Sequence, residues 1–197
     1  TRSVPVEIEP VVPQPSEIVR EIIHMHRIYN NLWNKLYVRE LFEDGLRLDE
    51  SVHIGEDALL NLQLYLRAKN IVHISDYTYV YRVHSSSAMA NMGLYSQAHQ
   101  PMLQSMSAIL LREGVKELYF RDFLQSCVWV DEKETGIMAC MKRFNAYIRP
   151  LVLDGVQEDR VPQWDLRIYR AVVKGYFPQI YILLRIREKL TGRKWGI

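Results

Sequence analysis

The chain has 197 residues, 48% of them hydrophobic and 24% charged, with a formal net charge of +2. That balance excludes a disordered tail and supplies one ordinary domain, or one with a small appendage. The charge is uneven: residues 160–197 hold nine Lys or Arg against two Asp or Glu, a net of +7, so the rest carries −5. Such asymmetry points to an anionic partner for the tail.

Residues 1–15 place Pro5, Pro10, Pro13 and Pro15 among β-branched residues, which predicts an extended segment or edge strand and then a linker. Ser16 is the expected N-cap of a first helix, whose Ile18, Val19, Ile22, Ile23 and Ile28 follow at helical spacing. A second helix is predicted over 30–42, with Trp33, Leu36, Tyr37 and Leu41 on one face and Gly45 as its stop. Residues 46–51 read as a short strand or loop. Gly55-Glu56-Asp57 opens a third helix; its Leu59, Leu60, Leu62, Leu64 and Leu66 run nearly all round the axis, so it should be buried. The β-branched run 71–74 predicts a strand. A second strand over 77–84 would put Tyr77, Tyr79, Tyr81 and Val83 on one side and Thr78, Val80, Arg82 and His84 on the other.

Everything after Ser85-Ser86-Ser87 reads as helix: 95–113, 116–130, 134–153 and 164–190, with the polar stretch 154–163 as an internal joint. Cys127 and Cys140 fall within apolar helical patterns and are expected as buried thiols; neither has metal-ligand spacing. The fold class is therefore α+β and predominantly helical. A small α+β portion, residues 1–90, precedes an all-helical extension, residues 91–197.

Three features carry chemistry. Glu56 and Asp57 sit where a predicted helix begins, and free backbone amides and the helix dipole there favour an ionised carboxylate. Such a carboxylate, facing a cleft, can take a proton from an attacking sugar hydroxyl; acids in a first turn are equally ordinary stabilisers. Arg82, His84 and the serines that follow could grip a diphosphate, or form a solvated strand edge. Trp33, beside Asn34 and Lys35, suits either a sugar platform or the core.

Taken in order, Trp33-Asn34-Lys35-Leu36-Tyr37, then Asp49-Glu50-Ser51, Ile54-Gly55-Glu56-Asp57 and Tyr81-Arg82-Val83-His84-Ser85-Ser86-Ser87, the chain resembles bacterial family 2 glycosyltransferases over residues 30–90. The resemblance implies the C-terminal part of an A-type glycosyltransferase fold and inversion at the anomeric carbon. It implies Asp57 as general base, Glu56 and Trp33 on the acceptor side, and Arg82, His84 and Ser87 near the donor diphosphate. The family's N-terminal, nucleotide-binding half ends in an Asp-x-Asp motif that holds a divalent metal, Mg or Mn. No Asp-x-Asp occurs here, and no strand–glycine turn–helix pattern precedes residue 30. The expectation is a fragment, inactive alone and binding no metal itself. Its longer parent would move a hexose from a nucleotide-sugar donor to a glycan or lipid-linked acceptor, in cell-surface polysaccharide synthesis. An incomplete sheet would leave an edge for homo-oligomer pairing.

The tail, Tyr176 to Leu190 and on through Arg193, Lys194 and Trp195, is rich in Ile, Leu and basic residues. It suits an anionic membrane surface, or a helix packed on its own domain with its charges in water. Nucleic acid is not expected, because the basic residues form no reading surface. No signal-peptide pattern and no bilayer-length apolar run occur, so the expected location is cytoplasmic, peripheral to the inner face of the membrane. Two further readings come from other classes. One is a helical interaction or membrane-docking domain without chemistry. The other is a metal-dependent hydrolase using His24, His26, Glu56 and Asp57; it suffers because residues two apart point to different helix faces.

Overall fold

The computed structural model describes residues 14–25, 27–74, 79–80 and 95–191. Helix α1, Pro15–Ile23, starts two residues earlier than Ser16 as N-cap would set it. Gln14 takes the N-cap position and its N–H donates to Glu17 Oε2 at 3.4 Å, while Pro15 fills the first helical position, where a missing N–H costs nothing. Of the predicted face Ile18, Val19, Ile22 and Ile23 are buried, and α1 packs chiefly against α3, Glu56–Arg67; Ile28 falls beyond α1, in the next helical turn.

The helix expected over 30–42 does not form. A single turn, α2 (Arg27–Asn30), gives way to an irregular stretch through residue 38 and then a 3-10 segment, Arg39–Gly45, kinked at Glu43 and Asp44. The carbonyls that would have continued the helix are taken by side chains. Asn61 Nδ2 donates to the carbonyls of Asn30 and Asn31 at 2.8 and 3.2 Å, and Lys35 Nζ donates to that of Asn31 at 2.5 Å. Leu36, counted on the apolar face, is fully exposed.

Residues 46–51 are a loop closed by Asp49, whose Oδ1 accepts from the Ser51 N–H (3.0 Å) and hydroxyl (2.5 Å). Helix α3 begins at Gly55, which takes the left-handed conformation (φ 89°) as N-cap, and buries Ala58 to Leu62 and Leu64. The predicted strand at 71–74 is absent. That stretch is irregular, with Val72 78% and Ile74 62% exposed, so its β-branched residues have no sheet to pack into. Of the strand expected over 77–84, only residues 79–80 are described, without regular structure. Among the described residues no strand occurs. The molecule is predominantly helical, and the strands of an A-type fold are not supported.

Helix α4, Tyr95–Arg112, lies close to its predicted span. Helix α5, Phe120–Thr135, begins four residues later than predicted, because Lys116 and Glu117 serve other contacts. Lys116 is fully buried. Its ammonium donates to the carbonyls of Leu151 (3.0 Å) and Asp154 (2.6 Å), placing a cation at the C-terminus of α7, Arg149–Leu153. Glu117 Oε1 accepts the Gln157 N–H at 3.2 Å. The stretch 154–163, read as a joint, is thus fastened to the α4–α5 turn.

Helix α6, Ile137–Arg143, runs through one π turn, Phe144–Ile148, into α7. The wider turn lies immediately before Pro150, which lacks an N–H and would crowd the carbonyl four residues back. The single helix expected over 164–190 is two: α8, Leu166–Lys174, and α9, Phe177–Thr191. A Schellman ending at Gly175 (φ 72°) separates them, with the Tyr176 N–H on the Ala171 carbonyl at 3.1 Å. One apolar core runs from Ile18 through Leu59, Met106, Phe123 and Phe144 to Leu184. Cys127 and Cys140 are buried free thiols within it; burial pushes the Cys140 thiol up to about 12.

Candidate functional site

The first turn of α3 carries Glu56 and Asp57, both half-buried, at the positive end of the helix dipole. Their register is fixed by Gly55, where a Cβ would lie 2.5 Å from Met102 Sδ; the helix start is pressed against α4 there.

The irregular segment after α2 wraps this helix start. Lys35 Nζ is held by the Asn31 carbonyl and by Asn34 Oδ1 at 2.6 Å. Burial pushes its ammonium down to about 8, opposed by the neighbouring charge of Asp57. Tyr37 donates its hydroxyl to Asn61 Oδ1 at 2.6 Å. Burial raises its phenol well above the ordinary value, helped by Tyr65 and by the Asp57 charge. Asn61 thus ties both ends of the segment to α3: its amide nitrogen to the carbonyls of Asn30 and Asn31, its oxygen to Tyr37. Sequence periodicity gives no sign of this, since Asn61 lies within a leucine-rich face.

Two aromatic stacks border the cluster. Trp33 lies against Tyr79 with centroids 4.4 Å apart and planes inclined 23°, and both rings are partly exposed. Tyr29 stacks on His73 at 6.1 Å. Burial lowers the His73 imidazole, reinforced by the Lys35 charge. The charge of Asp57 acts on Lys35 and Tyr37 and that of Lys35 on His73, which makes one polar neighbourhood, and Trp33, stacked on Tyr79, lies two residues before Lys35 in the chain. The arrangement could accept a proton at Asp57 and offer a flat apolar face to a sugar ring.

Arg82, His84 and Ser87, the expected donor-diphosphate residues, lie outside the described residues, as does His26. His24 is engaged by another acid: its Nε2 meets Asp122 Oδ1 at 3.2 Å in the interior. Among the described residues no group of three or more His, Cys, Asp or Glu side chains could hold a metal ion.

A second polar cluster, invisible to spacing arguments, surrounds that contact. Asp122 also faces Arg20 Nε at 3.5 Å, and its neighbour Arg121 pairs with Asp165 at 2.5 Å. Burial would raise the Asp122 carboxyl, but the hydrogen bond and charge of His24, with Arg121 and Arg20, hold it below the ordinary range. Burial keeps Asp165 above that range and Arg121 below its own, despite their pairing. The cluster joins α1, α5 and the start of α8. His24, Asp122, Arg121 and Asp165 are nearly closed to solvent, so it acts as internal structure.

Two depressions lie away from Asp57. An open one of about 580 Å³ is lined by Glu158, Asp159, Val161, Gln163, Leu166 and Arg170. A narrow space of about 10 Å³ lies among His99, Asp131, Arg143 and Tyr147. The chain matches no family model, no curated protein and no solved structure.

Proposed function

We propose that this chain is the acceptor side of an inverting, nucleotide-sugar-dependent glycosyltransferase, with Asp57 as the general base. One observation carries the reading. Residues separated along the motif run act on one another: the charge of Asp57 reaches Lys35 and Tyr37, that of Lys35 reaches His73, and Trp33 stacks on Tyr79. Asp57 would accept the proton of an acceptor hydroxyl as that oxygen attacks the anomeric carbon and the nucleoside diphosphate departs from the opposite face. Lys35 and Tyr37 would fix the surroundings of the carboxylate, and Glu56 would contact the acceptor. The exposed Trp33–Tyr79 pair would receive a sugar ring by stacking.

The donor diphosphate would lie toward Arg82, His84 and Ser87. A divalent Mg or Mn belongs with the nucleotide-binding half of a longer protein. The described residues do not fit a metal site, and no step here runs through one. Alone, the chain is expected to bind acceptor weakly and to transfer nothing.

The test is Asp57→Asn in the longer protein that contains the donor half. Transfer should fall by a factor of about 10²–10⁴ while calorimetric donor binding persists. Undiminished turnover would remove Asp57 as the base. A second reading, a helical interaction domain without chemistry, draws on the predominantly helical architecture of the described residues. The same variant separates the two, since that reading predicts no transfer to lose.

A further inference from the structure

Asn61 lies one turn beyond Asp57 on the same side of α3 and is fully closed to solvent. A buried amide among leucines is costly unless its polar atoms are partnered, and here both ends are used. Nδ2 donates to the carbonyls of Asn30 and Asn31 at 2.8 and 3.2 Å, and Oδ1 accepts from the Tyr37 hydroxyl at 2.6 Å. A carboxylate at this position would have no donor for the carbonyls, and a leucine would have neither donor nor acceptor.

The chain so gripped is the one that the Asp57 charge acts on. Lys35 Nζ shares the Asn31 carbonyl with Asn61, at 2.5 Å, and reaches Asn34 Oδ1 at 2.6 Å. The charge of Asp57 acts on Lys35 and on Tyr37. Further along, Arg67 Nη1 donates to the carbonyls of Leu41 and Glu43 at 3.4 and 3.1 Å, a separate anchor on α3 for the 3-10 segment. Asn61 is thus the anchor for the part that carries Trp33, Lys35 and Tyr37.

We propose that Asn61 is a positioning residue: its amide clamps the stretch 30–37 onto α3 and so keeps the Lys35 ammonium and the Tyr37 hydroxyl within reach of the Asp57 charge. A carboxylate whose surroundings are fixed in advance meets its acceptor in one electrostatic setting. The service to sugar transfer rests on Asp57 acting as the base. The clamp itself does not, because it consists of contacts within this chain.

The Lys35 side chain reports on the clamp. Burial holds its ammonium down at about 8, against an ordinary 10.5, and the Asp57 charge opposes that. Burial is the larger influence, so a released stretch should carry Lys35 into water and raise its midpoint. Asn61→Leu nearly keeps the side-chain shape and removes all three hydrogen bonds. In the full 197-residue chain, heteronuclear NMR of Lys35 should then show a rise of about one pH unit or more. Leu62→Val, at a buried neighbour in the apolar core, tests lost stability alone and should leave the midpoint in place. Tyr37→Phe removes one hydroxyl and keeps the ring; it should give a smaller rise, and it decides the matter if Asn61→Leu does not fold. An unmoved or lowered midpoint in Asn61→Leu, or in Tyr37→Phe where that variant alone folds, would overturn the clamp, as would an equal rise in Leu62→Val. The two claims fail separately. If the midpoint moves while Asp57→Asn leaves transfer intact, the clamp stands and the base falls. If transfer is lost but the midpoint ignores Asn61, the base stands and the clamp falls.

Discussion

Gly55 is the residue on which the position of Asp57 turns, and replacing it with alanine puts a number on that dependence. Its φ of 89° is left-handed, a region that costs an alanine about 1–2 kcal/mol. The new methyl group would also lie 2.5 Å from Met102 Sδ and 2.8 Å from Met102 Cγ. Met102 is fully buried, so its side chain has no open space to move into, and overpacking of this kind costs a further 1–3 kcal/mol or about that. Gly55→Ala should therefore destabilise the chain by about 2–5 kcal/mol. Gly45→Ala is the control: φ is 75°, with no atom within 4 Å of the added carbon, so only the backbone penalty applies. Urea unfolding followed by far-UV circular dichroism measures both. Met102→Ala, placed in the Gly55→Ala background, should recover part of the loss, giving a coupling of about 1 kcal/mol or more. If the two glycine variants differ by less than about 0.5 kcal/mol, α3 does not press on α4 as described.

Lys116→Met removes the donor to the Asp154 carbonyl, while the Ser107 hydroxyl still donates to that of Leu151 at 3.3 Å. One weakened acceptor costs about 1–3 kcal/mol, partly offset because a buried charge is no longer desolvated, so a net loss of about 1–2 kcal/mol is expected from the same unfolding assay. A loss under about 0.5 kcal/mol would refute the cap. Lys35 should titrate near 8 by heteronuclear NMR of its side chain. Because the unfolded chain holds that proton more tightly, stability should rise with pH between about 8 and the ordinary lysine value of 10.5, a rise absent from Lys35→Met. Asp57→Asn removes the anion that supports the ammonium and should lower the Lys35 midpoint further; an unchanged midpoint would place the two groups apart.

The helical part of the fold was legible because its signals are local. The apolar spacing of Ile18, Val19, Ile22 and Ile23 and of the leucines of α3 is a property of each segment, and the structure buries those residues. The misreadings came where a distant group intervenes. The pattern from Trp33 to Leu41 has helical spacing, but Asn61, which claims the carbonyls of Asn30 and Asn31, lies about thirty residues further on. Residues 71–74 have strand composition, yet composition cannot supply a neighbouring strand. Gly175 lies inside an apolar run that masks it, although a glycine followed two residues later by Phe177-Pro178 fits the end of one helix and the start of the next. At the candidate site, Asp57 and Trp33 could be named from their order in the sequence. Tyr79 as the ring facing Trp33, and Lys35 as the cation beside Asp57, required the chain to be folded.

The contacts that Glu117 and Arg121 make across the joint change where this protein can be divided. Polar composition marks residues 154–163 as the natural place to cut or to insert a tag. A break at Gly155 would leave Lys116 with both its carbonyl partners, but it would separate Glu117 from the Gln157 N–H and the buried Arg121 guanidinium from Asp165. Neither piece would keep a closed set of polar contacts. Two-piece complementation split at Gly155 should fail where composition alone would choose it.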